Sequence, residues 1–365
     1  MKRYNNIYEK IFDYENLVKA HHNARKGKNF YNEVKKVNEN EDYYLIQIQN
    51  MLIWKTYKTS NYEIFTIFDK GKEREIYKLP YFPDRIVHWA IMQQIEPIFT
   101  NTFSSFSCAA LRDKGIHHGL DLLSEYMKDK NGTKYCLKLD VKKFFPNINH
   151  AMLKNLLRRK FKDKELLWLL DEIIDSVEGE AGVPIGNYLS QYFANFYLTY
   201  FDHWLKEQMK VKYVIRYMDD VVILHNDKDY LHKLRCQIEN YLSENLKLEL
   251  KHNWQVFPSR VRGIDFLGYR HFGKYILLRK STCKNLKHKM RKISRQATEI
   301  HSLSYSQQCT INSYLGWLKW CNSHNLFNKY FKDVMQYENK RNGRHNKTIR
   351  DNPHNCVCQK QYNKN

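Results

Sequence analysis

The order of apolar and polar positions divides the chain into elements. Residues 1 to about 60 are strongly charged, and apolar side chains recur there at three and four (Ile7, Ile11, Tyr14, Leu17), the spacing of one helix face. From 63 to 80, "EIFTIFDKGKEREIYKLP" alternates about Asp69-Lys70-Gly71 and predicts a β-hairpin, closed by Pro80 and Pro83. "DRIVHWAIMQQIEPIF" continues as an amphipathic helix. "YCLKLDV" (135–141) predicts a strand leading through Phe144-Phe145-Pro146 into a helix that begins near Asn149, and another helix covers about 164–175. "GVPIGNYLSQYFANFYLTYFDHWLKE" reads as a Gly/Pro turn before one long apolar helix. A helix over 228–245, a strand "LKLEL" and a hairpin at "GIDFLGYRHFGKYIL" come later, and no internal repeat is present.

The sharpest feature is "KYVIRYMDDVVILHND" (212–227). Val214-Ile215 and Val221–Leu224 read as two short buried strands, with Asp219 and Asp220 in the tight turn between them. Two adjacent ionised carboxylates repel, and neither is buried cheaply without a counter-charge. A cation is therefore expected there. Asp140 ends the strand "CLKLD", from which it can project toward a neighbouring hairpin, and by itself it would read as a strand-ending cap. Together, Asp140, Asp219 and Asp220 suit two Mg²⁺ ions roughly 3.5–4 Å apart, one activating a 3′-hydroxyl and one holding a triphosphate.

Composition points the same way. The 365 residues suffice for two or three domains, and 61 Lys plus Arg against 39 Asp plus Glu give a formal charge of +22. That excess favours a polyanionic partner, nucleic acid first. The 27 tyrosines suit stacking on bases as well as packing. No apolar run approaches the roughly 18 residues of a spanning helix, and the N-terminus has no signal-peptide core, so a cytoplasmic protein without membrane contact is expected. Cys136 and Cys236 read as small core residues. His354, Cys356 and Cys358 of "HNCVC" lack a second ligand pair at zinc-finger spacing, so the cysteines are read as reduced thiols. Eight Lys or Arg and no acid lie between Arg279 and Arg295, and a helix there would carry an intensely basic face. The last thirty residues lack apolar periodicity and read as a flexible tail.

"YMDD" on a hairpin, with an upstream strand ending "LDVKKFFPNI", resembles the palm of a reverse transcriptase. The likeness runs in order along the chain to about 335. "KEREIYKLPYFPDRIVHWAIMQQIEPIF" resembles the first fingers motif, "SCAALRDKGIH" the second, "GVPIGNYLSQ" the fourth, "LKLELKHNW" the fifth and "GIDFLGYR" the primer grip. Most such enzymes carry Gln-Gly-x-x-x-Ser-Pro where this chain has Ile185-Gly186-Asn187-Tyr188-Leu189-Ser190-Gln191. That variant, with the segment "SYLGWLKWCNSHNL", is similar to the reverse transcriptases of diversity-generating retroelements. Related alternatives are retron, group II intron and antiphage reverse transcriptases; a non-catalytic RNA-binding scaffold is a further class, which the intact acid triad argues against.

The resemblance implies an α+β right-hand polymerase fold. Its parts would be an N-terminal helical extension (1–60), fingers (61–134), palm (135–278, with helices 149–178 contributing to the fingers), a helical thumb (279–335) and a tail (336–365). It implies copying of a template-repeat RNA into cDNA with errors at adenines. The partners would be template RNA, the primer–template duplex, dNTPs and a small basic helical accessory protein. Asp140, Asp219 and Asp220 would be catalytic, with the Val141 backbone as a further metal ligand. Arg74, Arg112, Phe145, Ile185, Gly186 and Gln191 would bind the nucleotide. Phe145 would be the steric gate against a 2′-hydroxyl, above a packing Phe144. Many relatives have arginine where Leu111 stands, so Arg112 or Lys114 would make that triphosphate contact. Gly268, Tyr269, Lys284, Lys287, Arg291 and Arg295 would hold nucleic acid. A glutamine at 185 would hydrogen-bond the incoming sugar; isoleucine cannot, which loosens the pocket.

Overall fold

The protein was studied as a computed structural model, which describes residues 3–69 and 72–337. The tail beyond 337, including "HNCVC", lies outside the described residues.

The N-terminal helices follow the three/four spacing. Tyr14–Ala24 is capped by the Asp13 carboxylate, which accepts from the Asn16 N–H, and buries Leu17, Ala20 and Ala24. Glu41–Ile53 buries Leu45, Ile48 and Leu52. Strands β1 (Glu63–Asp69) and β2 (Lys72–Lys78) form the expected hairpin, in register from Glu63 opposite Lys78 to Asp69 opposite Lys72. The helix Ile86–Thr100 follows and buries residues all round, from Ile86 and Val87 to Ile95 and Phe99.

Strands β3 (Tyr135–Asp140), β4 (Tyr213–Tyr217), β5 (Asp220–His225) and β6 (Gln255–Pro258) make one sheet in the order β4–β5–β3–β6. Leu137 and Leu139 of β3 are buried, while Lys138 and Asp140 share the other, half-exposed face. Helix His150–Lys160 starts where expected, capped by the Asn149 side chain, and Lys164–Asp175 follows.

Three expectations need correction. The long apolar helix is two, Tyr188–Tyr197 and Thr199–Glu207, separated at Leu198. Thr199 Oγ1 donates back to the Asn195 carbonyl at 3.1 Å, a side-chain bond that competes with the helical ladder. "LKLEL" is not a strand: Lys247 adopts φ +51, Leu248 N–H returns to the Leu242 carbonyl, and only Leu250 pairs, opposite Val141. Cys236 is exposed rather than core, because the helix Lys228–Leu246 buries the Leu231, Leu234, Ile238, Leu242 stripe instead; Cys136 is buried as expected. None of the six described cysteines is in a disulfide.

The chain divides into two compact units. The first comprises the chain up to Gly115, Leu137–Ile223 and Asp229–Gln255; the second comprises Ile116–Cys136, Leu224–Lys228 and the chain from Val256 onward. In the second, β7 (Ile264–Phe266), β8 (Tyr269–His271) and β9 (Ile276–Leu278) form an antiparallel meander. Leu267 and Gly268 turn β7 into β8 with φ +51 and +87, the double positive φ of a tight hairpin turn. The basic segment is indeed helical (Lys280–Ile300). It buries Leu286, Met290, Ile293 and Ala297 against Ile311 and Phe331 of the helical region that follows.

Candidate active site

The site lies in the first unit, where β3 ends beside the start of β5. Asp220 is the first residue of β5, and its Oδ2 stands 3.4 Å from Lys138 Nζ on β3. Met218 and Asp219 form the turn before it. Met218 is left-handed (φ +54), which a non-glycine residue adopts only where its surroundings hold it. The Val141 N–H donates to the Asp219 carbonyl at 3.3 Å and fixes the turn to the end of β3.

Asp140 acts on Asp219. Burial, then the negative charge of Asp140, pushes the Asp219 carboxyl up to about 6. Lys251 opposes this: its Nζ donates to Asp140 Oδ1, and its own N–H donates to the Asp140 carbonyl at 2.8 Å. The Lys142 N–H donates to the Glu249 carbonyl at 2.8 Å, so the bridge between Val141 and Leu250 leaves the Val141 carbonyl outside its two hydrogen bonds.

Among the described residues, no group of three or more His, Cys, Asp or Glu side chains converges to hold a metal ion. The expected three-acid convergence is thus incomplete. Three carboxylates repel, and here Lys251 pairs with Asp140 while Lys138 lies beside Asp220. The Asp140–Asp219 pair still fits a hard divalent cation. Both donors are carboxylate oxygens, and a cation would remove the repulsion that raises the Asp219 carboxyl.

The expected nucleotide-side residues fall around the same unit. Ile185 is half-buried rather than enclosed, and its carbonyl accepts from the Tyr77 N–H of β2 at 3.0 Å. Gly186 is exposed with φ +124, and Gln191 is exposed. Arg74 is exposed on β2, opposite Ile67. Arg112 is exposed and its Nε lies 3.3 Å from Glu96, which also accepts from the Tyr192 hydroxyl at 2.8 Å. Phe144 is buried and Phe145 half-exposed, their rings edge to face at 5.7 Å.

In the second unit, Lys284, Arg291 and Arg295 are exposed and Lys287 is half-buried. Arg291 leans on Tyr330, donating to its hydroxyl at 3.3 Å. Tyr269, expected at nucleic acid, is fully buried, stacked on Trp317 with its hydroxyl donating to the Trp317 carbonyl at 3.0 Å. Strand alternation turns it inward. Gly268 is buried too, and a Cβ there would stand 2.5 Å from the Trp317 ring.

Sequence reasoning missed the residues behind the turn. Arg216 is fully buried and paired with the equally buried Asp202, and Asn195 joins them. The signals were a lone arginine inside a buried strand and two polar residues, seven apart, on an apolar helix.

The family model described as reverse transcriptase (RNA-dependent DNA polymerase) matches residues 58–271, more than half of the chain. The chain belongs to the reverse transcriptase family. Its mixed α+β architecture with antiparallel sheets is accordingly a reverse transcriptase fold. Among curated relatives, this reverse transcriptase is similar to Protein YkfC of Escherichia coli (25% identical over 243 residues, 55% of this chain and 63% of that one). It is also similar to the putative COX1/OXI3 intron 2 protein of Saccharomyces cerevisiae (24% over 257 residues, 51% and 29%). The group II intron-encoded protein LtrA of Lactococcus lactis matches at 26% over 143 residues, 37% of this chain and 23% of that one. The chain thus spans less than two thirds of the length of these relatives. Solved structures of Candida tropicalis telomerase also match. The apo form truncated from its C-terminal domain has a TM-score of 0.44 at 14% identity, covering 66% of this chain and 60% of that one. No helix among the described residues is long and apolar enough to cross a membrane.

Proposed function

We propose that the chain is an RNA-directed DNA polymerase whose reaction centre is Asp140, Asp219 and Asp220. The observation that carries this is the raised Asp219 carboxyl, pushed up by burial and by the neighbouring Asp140 where β3 meets the turn. Divalent cations, taken here as two Mg²⁺, would supply activation of the 3′-hydroxyl and neutralisation of the triphosphate. The protein's part is to hold the acidic oxygens of Asp140 and Asp219, with the Val141 carbonyl, on one side of the reacting phosphorus. The primer 3′-oxygen bonds to the α-phosphorus, the bond to pyrophosphate breaks, and the hydroxyl proton passes to solvent. Arg74, Arg112, Gly186 and Gln191 would flank the triphosphate and base, and Phe145 would exclude a 2′-hydroxyl. Arg112 must leave Glu96 to take part.

In this reading 61–134 are fingers, 135–278 palm (with helices 149–178 lent to the fingers), 279–335 thumb, and 1–60 an N-terminal extension. Template RNA, the primer–template duplex and dNTPs are the partners; Lys284, Lys287, Arg291 and Arg295 contact phosphates. The Asp219→Asn variant tests the assignment. It should lose dNTP incorporation on an RNA template by at least about 10³-fold, fold normally, and lose the rise in melting temperature that Mg²⁺ gives the wild type. Appreciable Mg²⁺-dependent synthesis by that variant sinks the assignment.

The finer reading is a retroelement enzyme that copies a template-repeat RNA inaccurately at adenines, aided by a small basic helical accessory protein. The half-buried apolar Ile185 supports it. The similarity to LtrA supports a group II intron-type enzyme as the alternative. Errors measured at position 185 variants separate the two.

A further inference from the structure

Arg216 has no exposed surface, yet every N–H of its guanidinium is used. Nε donates to Asp202 Oδ1 at 2.7 Å and Nη2 to Asp202 Oδ2 at 2.6 Å. Nη2 also donates to Ser107 Oγ at 3.1 Å, and Nη1 to Asn195 Oδ1 at 3.2 Å and the Met218 carbonyl at 3.0 Å. Arginine has five such donors in a fixed fork, and all are satisfied.

The partners belong to three separate places. Met218 is the left-handed residue immediately before Asp219. Ser107 begins the segment that runs to Arg112, and the segment is tied to Arg216 by main chain as well: Arg216 N–H donates to the Phe106 carbonyl at 3.1 Å, and Cys108 N–H to the Arg216 carbonyl at 2.9 Å. Asn195 and Asp202 lie on the two broken helices, and Asn195 Nδ2 donates to the Ala109 carbonyl at 2.7 Å.

A fold in need of stability alone has a simpler solution. A buried ion pair is often matched or exceeded by packed apolar residues of similar volume. What apolar residues cannot do is hold a strained carbonyl and a separate loop in one fixed fork. We infer that Arg216 is a positioning residue that locks the Met218–Asp219 turn to the Ser107–Ala109 segment. The metal-binding carboxylate and the triphosphate-side residues after Ala109 then keep one relative position. This rests on the polymerase reading of the site.

The test compares wild type, the pair replacement Arg216→Met with Asp202→Leu, Arg216→Lys, and Ser107→Ala. The readouts are melting temperature, Mn²⁺ binding by electron paramagnetic resonance without nucleic acid, duplex affinity, and kcat and KM for dNTP. The pair replacement should melt within a few degrees of wild type and bind duplex equally. Its kcat should fall about 30- to 100-fold, since an ångström of misplacement has that effect, and Mn²⁺ should bind about tenfold more weakly. Should that variant not fold, Arg216→Lys decides on the same readouts, because one ammonium cannot span Asp202, Ser107, Asn195 and Met218. Ser107→Ala, the mildest change, should raise the dNTP KM severalfold with Mn²⁺ affinity retained. Folded variants with wild-type kcat, KM and Mn²⁺ affinity overturn the inference and leave Arg216 a core residue. A wild-type chain that synthesises no DNA overturns the polymerase reading instead, and the Mn²⁺ comparison still judges Arg216.

Discussion

Ile185 and Tyr77 are joined main chain to main chain, the Tyr77 N–H donating to the Ile185 carbonyl at 3.0 Å. The segment carrying Ile185 is thereby fixed to β2, the strand that also carries Arg74. An apolar side chain at 185 therefore sits on a held backbone.

Gly186 is the residue that permits this approach. A Cβ there would stand 2.9 Å from the Tyr77 carbonyl oxygen, and φ is +124, a conformation that side-chain-bearing residues rarely adopt. Gly186→Ala should cost about 1–3 kcal/mol and push the segment off β2. We expect a melting temperature lower by several degrees and a raised KM for dNTP, with duplex affinity unchanged. An unchanged KM at a lowered melting temperature would separate Gly186 from the nucleotide.

His88 gives the first unit a defined acid sensitivity. It is buried in the helix Ile86–Thr100, and burial, then the neighbouring Arg85 charge, lowers its pKa to about 3. The unfolded chain protonates this histidine near 6.5 and the folded chain does not. Stability from its neutral state is therefore complete above pH 6.5 and is lost as pH falls toward 3. Between pH 6.5 and 5 the loss is roughly 2 kcal/mol. Denaturant unfolding of wild type and His88→Gln at both pH values should show a smaller fall in the variant. Equal falls would mean that His88 takes up its proton in the folded state.

The basic helix Lys280–Ile300 makes a graded prediction. Lys284 is exposed, whereas Arg291 already leans on Tyr330. If the helix follows duplex phosphates, Lys284→Ala should reduce the slope of log affinity against log salt by about 0.7–0.9. Arg291→Ala should change it less, because its guanidinium is already engaged. The loss should be alike for unrelated sequences. Filter binding from low to high salt measures both, and an unchanged slope for Lys284→Ala means a merely solvated face.

What the sequence made legible follows from how local each signal is. The turn at Asp219 and its flanking strands could be read because β-branched runs on either side of two acids leave few other structures. Asp140 could be placed beside them because β3 alternates through Leu137 and Leu139 and ends on the acid. The break at Leu198 could not be read, since apolar periodicity continues across it and only the Thr199 hydroxyl bonding to Asn195 interrupts the ladder. "LKLEL" alternates like a strand, but one left-handed residue, Lys247, reverses the chain. Arg216 escaped notice because its meaning depends on Asp202 and Ser107, which three-dimensional packing alone brings to it. Tyr269 was assigned to a surface by motif, and the Trp317 ring that buries it lies 48 residues on in the chain.

Ile185 also carries the subfamily assignment. Its side chain is half-buried on a backbone fixed to Tyr77, so a substitution there changes chemistry more than position. Glutamine is similar in length and can both donate and accept. If the pocket discriminates poorly because it lacks a polar contact to the nucleotide, Ile185→Gln should restore one. Such a bond contributes roughly 0.5–1.5 kcal/mol, or about two- to tenfold in discrimination. Errors opposite template adenines should then fall severalfold, synthesis should persist, and errors opposite other bases should change less. Sequencing cDNA made by both proteins on one RNA template measures this directly. Matching adenine error spectra from the two proteins would make Ile185 a packing residue and favour the group II intron-type reading.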